Sequence, residues 1–298
     1  MPKKSKKKVV NNLEKKSEKL ILDLDDDKNY TKKYYLVDDL QKAKIDKSKM
    51  KFKDKDELKV VESVLDVEIS NTLFNLRKRK IIDQMTGIIS TGKEANVYHG
   101  YAPDGSELAI KIYRTSTNIF KGLQIYILGD TRFANIKKDQ RSFVYAWARK
   151  EFKNLMRATE AKVSVPRPIF CLKDVLVMEF IGKNGLPYRL IKDEQIIDPK
   201  ATYKEVWINI EKLYKKAGLI HADLSEYNIM YTPKIYFIDI SQGVLLDHPM
   251  AEIFLLRDLK NITRYFKSQN VQVQNPELLF EKLVGEPPSE KVRSYNLY

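Results

Sequence analysis

The run Leu219-Ile220-His221-Ala222-Asp223-Leu224-Ser225-Glu226-Tyr227-Asn228 constrains this chain more than any other stretch. Two apolar residues lead into a polar loop with a carboxylate at Asp223 and an amide at Asn228. Sixteen residues after Asp223 comes Ile238-Asp239-Ile240, a second carboxylate at the end of an apolar strand pattern. Phosphoryl transfer needs such a set: one carboxylate near the attacking hydroxyl or water, and oxygen ligands that hold Mg²⁺ against phosphates. The spacing gives Asp223 the first role and Asn228 and Asp239 the second. A lone Asp after a strand is in most cases a turn or a helix cap, and only the upstream loop lifts Asp239 above that reading.

Composition narrows the setting. With 298 residues, 43% of them hydrophobic, the chain can bury one sizeable core or two lobes that share a cleft. No apolar run approaches the roughly 18 residues of a membrane helix. The best candidate, residues 175–181, is short and contains Glu179. No apolar run follows the charged N-terminus, so no secretory signal is expected. Cys171 is the single cysteine, which excludes an intrachain disulfide framework and suits a reducing interior. A soluble intracellular protein without membrane contact is expected. The formal charge is +14, and residues 1–60, with 19 Lys/Arg against 12 Asp/Glu, hold +7 of it. Such an excess suits an anionic partner such as nucleic acid, and suits a solubilising tail equally well.

Along the chain, residues 1–60 alternate Lys-rich and Asp-rich runs and read as a disordered basic tail. From about residue 61 the pattern becomes regular. Val64, Leu65, Ile69, Leu73 and Leu76 fall at helical spacing. Strand signals follow at 87–89, 97–98 and 108–113, the last two joined by the turn Pro103-Asp104-Gly105. Residues 145–156 read as a helix and residues 169–172 and 175–179 as a strand pair. Thr202 with Glu205 suggests a capping box that opens a helix running to Lys216. Short strands at 228–231 and 235–240 and a helix through Ile253, Leu256, Leu259, Ile262 and Phe266 complete the pattern. A β-rich half followed by a helix-rich half predicts a two-lobed α+β fold: an N-lobe over about 61–178, a hinge over about 179–185 and a C-lobe over about 186–298.

Two further motifs belong to the predicted cleft. In Ala109-Ile110-Lys111 an ammonium stands on an apolar strand, where it can reach phosphates; alone it would read as a snorkelling edge lysine. Its acidic partner is expected on the following helix at Glu151, with Glu160, near the helix end, as the alternative. Residues 115–142 then form an insertion of mixed charge and little periodicity, expected to be mobile. The segment Ser90-Thr91-Gly92-Lys93-Glu94-Ala95-Asn96-Val97-Tyr98 lies between two strands, where a phosphate-covering loop belongs, though it has one glycine. His99 and His248 read as structural or surface residues, Trp147 and Trp207 as core, and His221 as a brace for its loop.

The loops 90–98 and 221–228, together with Ile238-Asp239-Ile240-Ser241-Gln242, closely resemble the RIO atypical protein kinases, in the pattern of the RIO kinase one subfamily. Tyr113-Arg114-Thr115-Ser116 and Gly129-Asp130-Thr131-Arg132-Phe133 match as well, so the resemblance spans roughly residues 62–290. It implies a small two-lobed kinase fold without the activation segment and peptide-docking helices of ordinary kinases. It further implies ATP bound with Mg²⁺, or Mn²⁺ in its place, under Ser90, Thr91, Gly92, Lys93, Glu94, Ala95, Asn96 and Val97. Lys111 would pair with Glu151, and adenine would meet the backbone of Glu179 and Ile181 with Met178 behind. Asp223 would be the catalytic Asp, Asn228 and Asp239 the metal ligands, and Asp239 a phospho-acceptor candidate. The family resemblance also implies an ATPase switch on the pre-40S ribosomal particle, with its rRNA and assembly factors, in late cytoplasmic 18S rRNA processing. Shuttling through the nucleus and Ser/Thr autophosphorylation fit the same expectation; oligomeric state is left open. One departure is the insertion's middle, Gly122-Leu123-Gln124-Ile125-Tyr126-Ile127, more apolar than the charged stretch expected there. The rival readings are a conventional serine/threonine protein kinase, a small-molecule phosphotransferase and an assembly factor that binds ATP without turnover.

Overall fold

The structure, a computed structural model, describes residues 67–115, 120–133 and 139–295. The tail 1–60, and Val64 and Leu65 of the first helical pattern, lie outside the described residues. The rest of that pattern forms α1 (Val67–Lys78), with Leu76 buried.

Five antiparallel strands make the N-lobe sheet in the order β1-β2-β3-β5-β4. They are β1 (Gln84–Thr91), β2 (Ala95–Tyr101), β3 (Glu107–Tyr113), β4 (Pro168–Leu172) and β5 (Val175–Glu179). β3 is the centre of the sheet and is almost wholly buried, as its near-continuous apolar sequence requires. The turn before it depends on Gly105 at φ +81° and on Asp104, whose carboxylate accepts from the amide of Ser106 at 3.0 Å.

Helix α2 (Gln140–Glu160) packs on β4 and β5. It starts before the expected residue 145 because Asp139 caps it, accepting from the Ser142 amide at 2.9 Å. The first turn is polar, so no apolar periodicity announces it. The insertion expected to be mobile is docked in its described parts. A single helical turn (Phe120–Leu123) and two 3₁₀ turns (Gln124–Tyr126 and Thr131–Phe133) bury Leu123, Tyr126, Ile127 and Phe133. The apolar run that departs from the charged expectation is what docks: Tyr126 stacks on Phe254 with centroids 5.0 Å apart.

Past the hinge come the hairpin β6 (Gly182–Lys183) and β7 (Leu186–Pro187), then α3 (Pro199–Lys215). The capping box expected at Thr202 and Glu205 is corrected here. Asp198 is the cap, accepting from the Ala201 amide at 2.9 Å, and Pro199 occupies the first helical position. Glu205 instead accepts from the Ile235 amide at 3.1 Å and ties the helix to a strand. Two short antiparallel pairs follow: β8 (Leu219–Ile220) with β11 (Val244–Leu245), and β9 (Ile229–Tyr231) with β10 (Ile235–Phe237). They hold the loops 221–228 and 238–243 side by side. Helix α4 (Ala251–Ser268) turns Ile253, Phe254, Leu256, Leu259, Ile262 and Phe266 inward. α5 (Pro276–Val284) and α6 (Glu290–Ser294) pack against it. No helix among the described residues is long and apolar enough to cross a membrane.

Candidate active site

Lys111 is held in the middle of the sheet by pairing with Val97 on one side and Leu176 on the other. Its ammonium reaches three oxygens: Glu151 Oε2 at 2.7 Å, Glu151 Oε1 at 3.0 Å and Asp239 Oδ1 at 2.7 Å. Glu160, the alternative partner, lies exposed at the far end of α2. Glu151 is 1% exposed and also accepts from the Tyr113 hydroxyl. Burial alone would lower the Lys111 pKa, but the carboxylates of Asp239 and Glu151 outweigh it and hold the ammonium above its ordinary value. At Glu151 burial dominates and moves the carboxyl up, against Lys111. The short bonds from the ammonium favour the ionised pair.

Asp239 follows β10 in a left-handed backbone conformation, φ +57°, which is uncommon without glycine. Its side chain is 45% exposed and so reaches solvent. Burial of the group would raise its pKa, yet Lys111 and the hydrogen bonds from Lys111 and Ser241 hold the carboxyl below its ordinary value. Ser241 Oγ donates to the same Oδ1 at 3.1 Å, so Oδ2 is the oxygen left for another partner.

Asp223 and Asn228 are locked together: Asn228 Nδ2 donates to Asp223 O at 2.7 Å and to its Oδ2 at 3.2 Å. The Asn228 amide therefore offers its oxygen elsewhere. Gln242 Nε2 adds a contact to Asp223 Oδ2 at 3.3 Å. Burial first, and the charge of Asp239 second, push Asp223 up to about 6. Glu94, in the loop between β1 and β2, is pushed up to about 7 for the same two reasons. That loop closes with Gly92 N–H donating to Ala95 O at 2.9 Å, and a Cβ on Gly92 would lie 3.0 Å from the same oxygen. Its single glycine stands where the turn needs one. Asn96 is buried and receives Arg114 Nη2 at 2.8 Å. At the hinge, Met178 pairs with Ala109 and Pro168, the Glu179 amide is committed to Arg167 O at 2.9 Å, and Ile181 O accepts from Tyr188.

His221 is 1% exposed, and its Nε2 meets Ile238 O at 3.1 Å, tying the two loops together. Burial lowers its pKa to about 4, so the ring is neutral and braces the loops. Sequence reasoning missed Asp258 altogether. This buried residue of α4 accepts the amides of Ala222 (2.8 Å) and Leu224 (2.9 Å), the two residues flanking Asp223. Ala222 has φ +62°, and Arg257 donates to its carbonyl. Nothing in the apolar periodicity of α4 marks a lone Asp as the support of a distant loop.

The fold and the site define a two-lobed kinase-like protein of reduced size: after Asp239 the chain enters α4 at Ala251, and no long activation segment intervenes. Comparison with known proteins gives the same class. The RIO domain family matches residues 96–278. Human serine/threonine-protein kinase RIO1 is 42% identical over 236 residues, which cover 78% of this chain and 42% of that protein. RIO-type serine/threonine-protein kinase Rio1 of Haloferax volcanii is 39% identical over 242 residues, 81% of this chain and 83% of the relative. The chain thus spans less than half of the human relative and most of the archaeal one. Among solved structures, the Rio2 kinase–ADP/Mg²⁺–phosphoaspartate complex of Chaetomium thermophilum superposes with TM-score 0.55 at 24% identity, covering 74% of this chain and 67% of that one. The chain belongs to the RIO family of atypical kinases.

Proposed function

We propose that this chain is an ATP- and Mg²⁺-dependent atypical serine/threonine kinase and ATPase in which Asp239 accepts the γ-phosphoryl group. Its turnover would serve as a switch on the pre-40S ribosomal particle in late cytoplasmic maturation of the small subunit. The observation that carries the chemistry is Asp239: ionised, exposed to solvent, held at Oδ1 by Lys111 and Ser241, and with Oδ2 unengaged among the described residues. That the Chaetomium Rio2 structure is a phosphoaspartate complex supports the reading.

The donor set fits Mg²⁺. Burial first, and the charge of Asp239 second, raise the pKa values of both Asp223 and Glu94, a local excess of negative charge that a cation would offset. Mg²⁺ is commonly held by one or two carboxylates together with phosphate oxygens. Asp239 and the Asn228 oxygen would hold it, and bound there it would offset the negative charge of carboxylates and phosphates.

Lys111 orients the α/β-phosphates, and the loop 90–97 covers them. Asp239 Oδ2 attacks the γ-phosphorus as the bond to the bridging oxygen breaks, and ADP leaves with that electron pair. Asp223 then accepts a proton from the water that attacks the acyl-phosphate, which frees the Asp239 carboxylate and inorganic phosphate. A conventional kinase acting on protein substrates is the second reading, favoured by the names of the relatives. The short connection from Asp239 to α4 argues against it, because it leaves no activation segment to seat a peptide. The +7 excess on residues 1–60 supports the ribosomal assignment. Deleting them is expected to weaken co-sedimentation with pre-40S particles, and unchanged sedimentation would remove the tail from the proposal.

The pH dependence follows from Asp223. Below its pKa of about 6 the carboxyl keeps its proton and cannot take another. The rate of phosphate release at saturating ATP, which includes the attack of water on the acyl-phosphate, is therefore expected to rise as pH increases through about 6 and to level off above about 7. A profile flat across that range would remove Asp223 from the base role.

The deciding experiment treats protein labelled with γ-³²P-ATP and Mg²⁺ with hydroxylamine. Wild type should carry a hydroxylamine-labile label that Asp239→Asn loses. A label that is wholly resistant and sits on Ser or Thr, with no labile fraction, would instead favour the conventional-kinase reading.

A further inference from the structure

Lys150 is fully buried (0%), and its ammonium lies 5.4 Å from the centroid of the Trp147 ring. It donates to two backbone carbonyls, Ser241 O at 2.9 Å and Gly243 O. Burial, and then the nearby Arg132, hold its pKa well below the ordinary value, while Asp130 partly opposes them. One turn further along α2, Asn154 (0% exposed) donates to Ile240 O at 2.9 Å and Gly243 O at 2.8 Å. The carbonyls of 240, 241 and 243, just after Asp239, are thus all held from α2. Gly243 is pressed against this support, since a Cβ there would lie 3.0 Å from Asn154 Nδ2.

The support continues outward into the insertion. Asn154 Oδ1 accepts from Arg132 Nη1 at 2.9 Å, and Arg132 grips Asp130 through Nε (2.9 Å) and Nη2 (2.6 Å). Asp130 is 2% exposed. The preceding Gly129, at φ +96°, lies so close to Pro249 that a Cβ would stand 2.7 Å from its Cδ. The stretch of α2 that supplies Lys150 and Asn154 also supplies Glu151, the partner of Lys111. Its placement therefore fixes both the ammonium that touches Asp239 and the backbone that follows it. A buried ammonium is a costly way to satisfy two carbonyls if packing is all that is required.

We propose that Lys150, Asn154 and Arg132 are positioning residues for phosphoryl transfer at Asp239, and that the Gly129–Phe133 part of the insertion sets their alignment from outside the cleft. This rests on the reading of Asp239 as the phosphoryl acceptor. Neither Arg132 nor Lys150 touches the nucleotide-binding residues 90–97, so the effect should fall on the chemical step.

The test uses the full chain with Lys150→Met and Arg132→Gln, reading Mg²⁺–ADP affinity, melting temperature, single-turnover labelling of the protein and steady-state ATP turnover. A misplacement of the reacting carboxylate predicts a loss in single-turnover rate of about 100-fold for Lys150→Met and about 10-fold for Arg132→Gln, with ADP affinity within about twofold of wild type. Should Lys150→Met fail to fold, Arg132→Gln, whose side chain is 13% exposed, carries the test. A melting temperature lowered with rate and affinity falling together, or a rate unchanged in a variant that folds, overturns the proposal. Absence of any hydroxylamine-labile label in wild type would defeat the phosphoaspartate reading instead. The positioning claim would then be judged on ATP turnover, where the same loss without loss of affinity is required.

Discussion

Asp258→Ala is expected to lower stability by roughly 2–6 kcal/mol, because it leaves two buried amides without an acceptor at a cost of about 1–3 kcal/mol each. The amides are those of Ala222 and Leu224, and the residue between them is Asp223. Turnover should fall further than the loss of folded protein explains. Ala222 holds φ +62°, a conformation that a side-chain-bearing residue keeps only when its surroundings enforce it, and Asp258 supplies that enforcement. Asp258→Asn keeps one acceptor and turns an N–H toward the second amide, so it should fall between wild type and alanine. Denaturant titration of the three proteins, with turnover measured on each, checks both statements. An alanine variant with an unchanged midpoint would mean that the two amides find other acceptors and that the loop does not depend on α4.

The contrast between Asp258 and Asp223 shows what a sequence displays and what it conceals. Asp223, Asn228 and Asp239 are legible because their chemistry needs fixed residue types at fixed spacing within one short stretch, and Lys111 because it interrupts an apolar strand. Asp258, Lys150 and Asn154 serve the same site through backbone atoms far away in the chain. A backbone amide or carbonyl leaves no residue-type signature, so each of these side chains reads as a polar residue on an amphipathic helix. The five strands of the N-lobe sheet, the pair β9 and β10 and the two long helices of the C-lobe follow from the residue pattern, whereas the two-residue strands β6, β7, β8 and β11 and the starts of α2 and α3 do not. Asp139 and Asp198 cap turns whose residues are polar, and Thr202 with Glu205 imitates a cap one turn later. The insertion conceals its order for a related reason: Leu123, Tyr126, Ile127 and Phe133 are buried by tertiary contacts, at spacings that match neither a helix nor a strand over any useful length.

Lys111 presents the second large effect, and a pair of variants separates its two roles. Lys111→Met strands the Glu151 carboxylate, 1% exposed, without its cation, and breaking a buried pair from one side costs about 3–5 kcal/mol. Asp239 loses the same ammonium but reaches solvent, which can compensate it, so Glu151 carries most of that cost. Lys111→Met/Glu151→Leu removes both charges and is expected to recover most of the lost stability, since apolar replacement of a whole buried pair is often near neutral. Recovery should be incomplete, because the Tyr113 hydroxyl also donates to Glu151 and would lose its acceptor. Activity should not recover. Removing one fixed donor from the developing charge of a transition state costs about 10²–10³-fold, and both variants lack it. Denaturant titration and ATP turnover on wild type, single and double variants are the required measurements. Equal destabilisation of the single and double variants would show that the stranded Glu151 carboxylate is not the source of the loss, and turnover restored in the double variant would remove the ammonium from the chemistry.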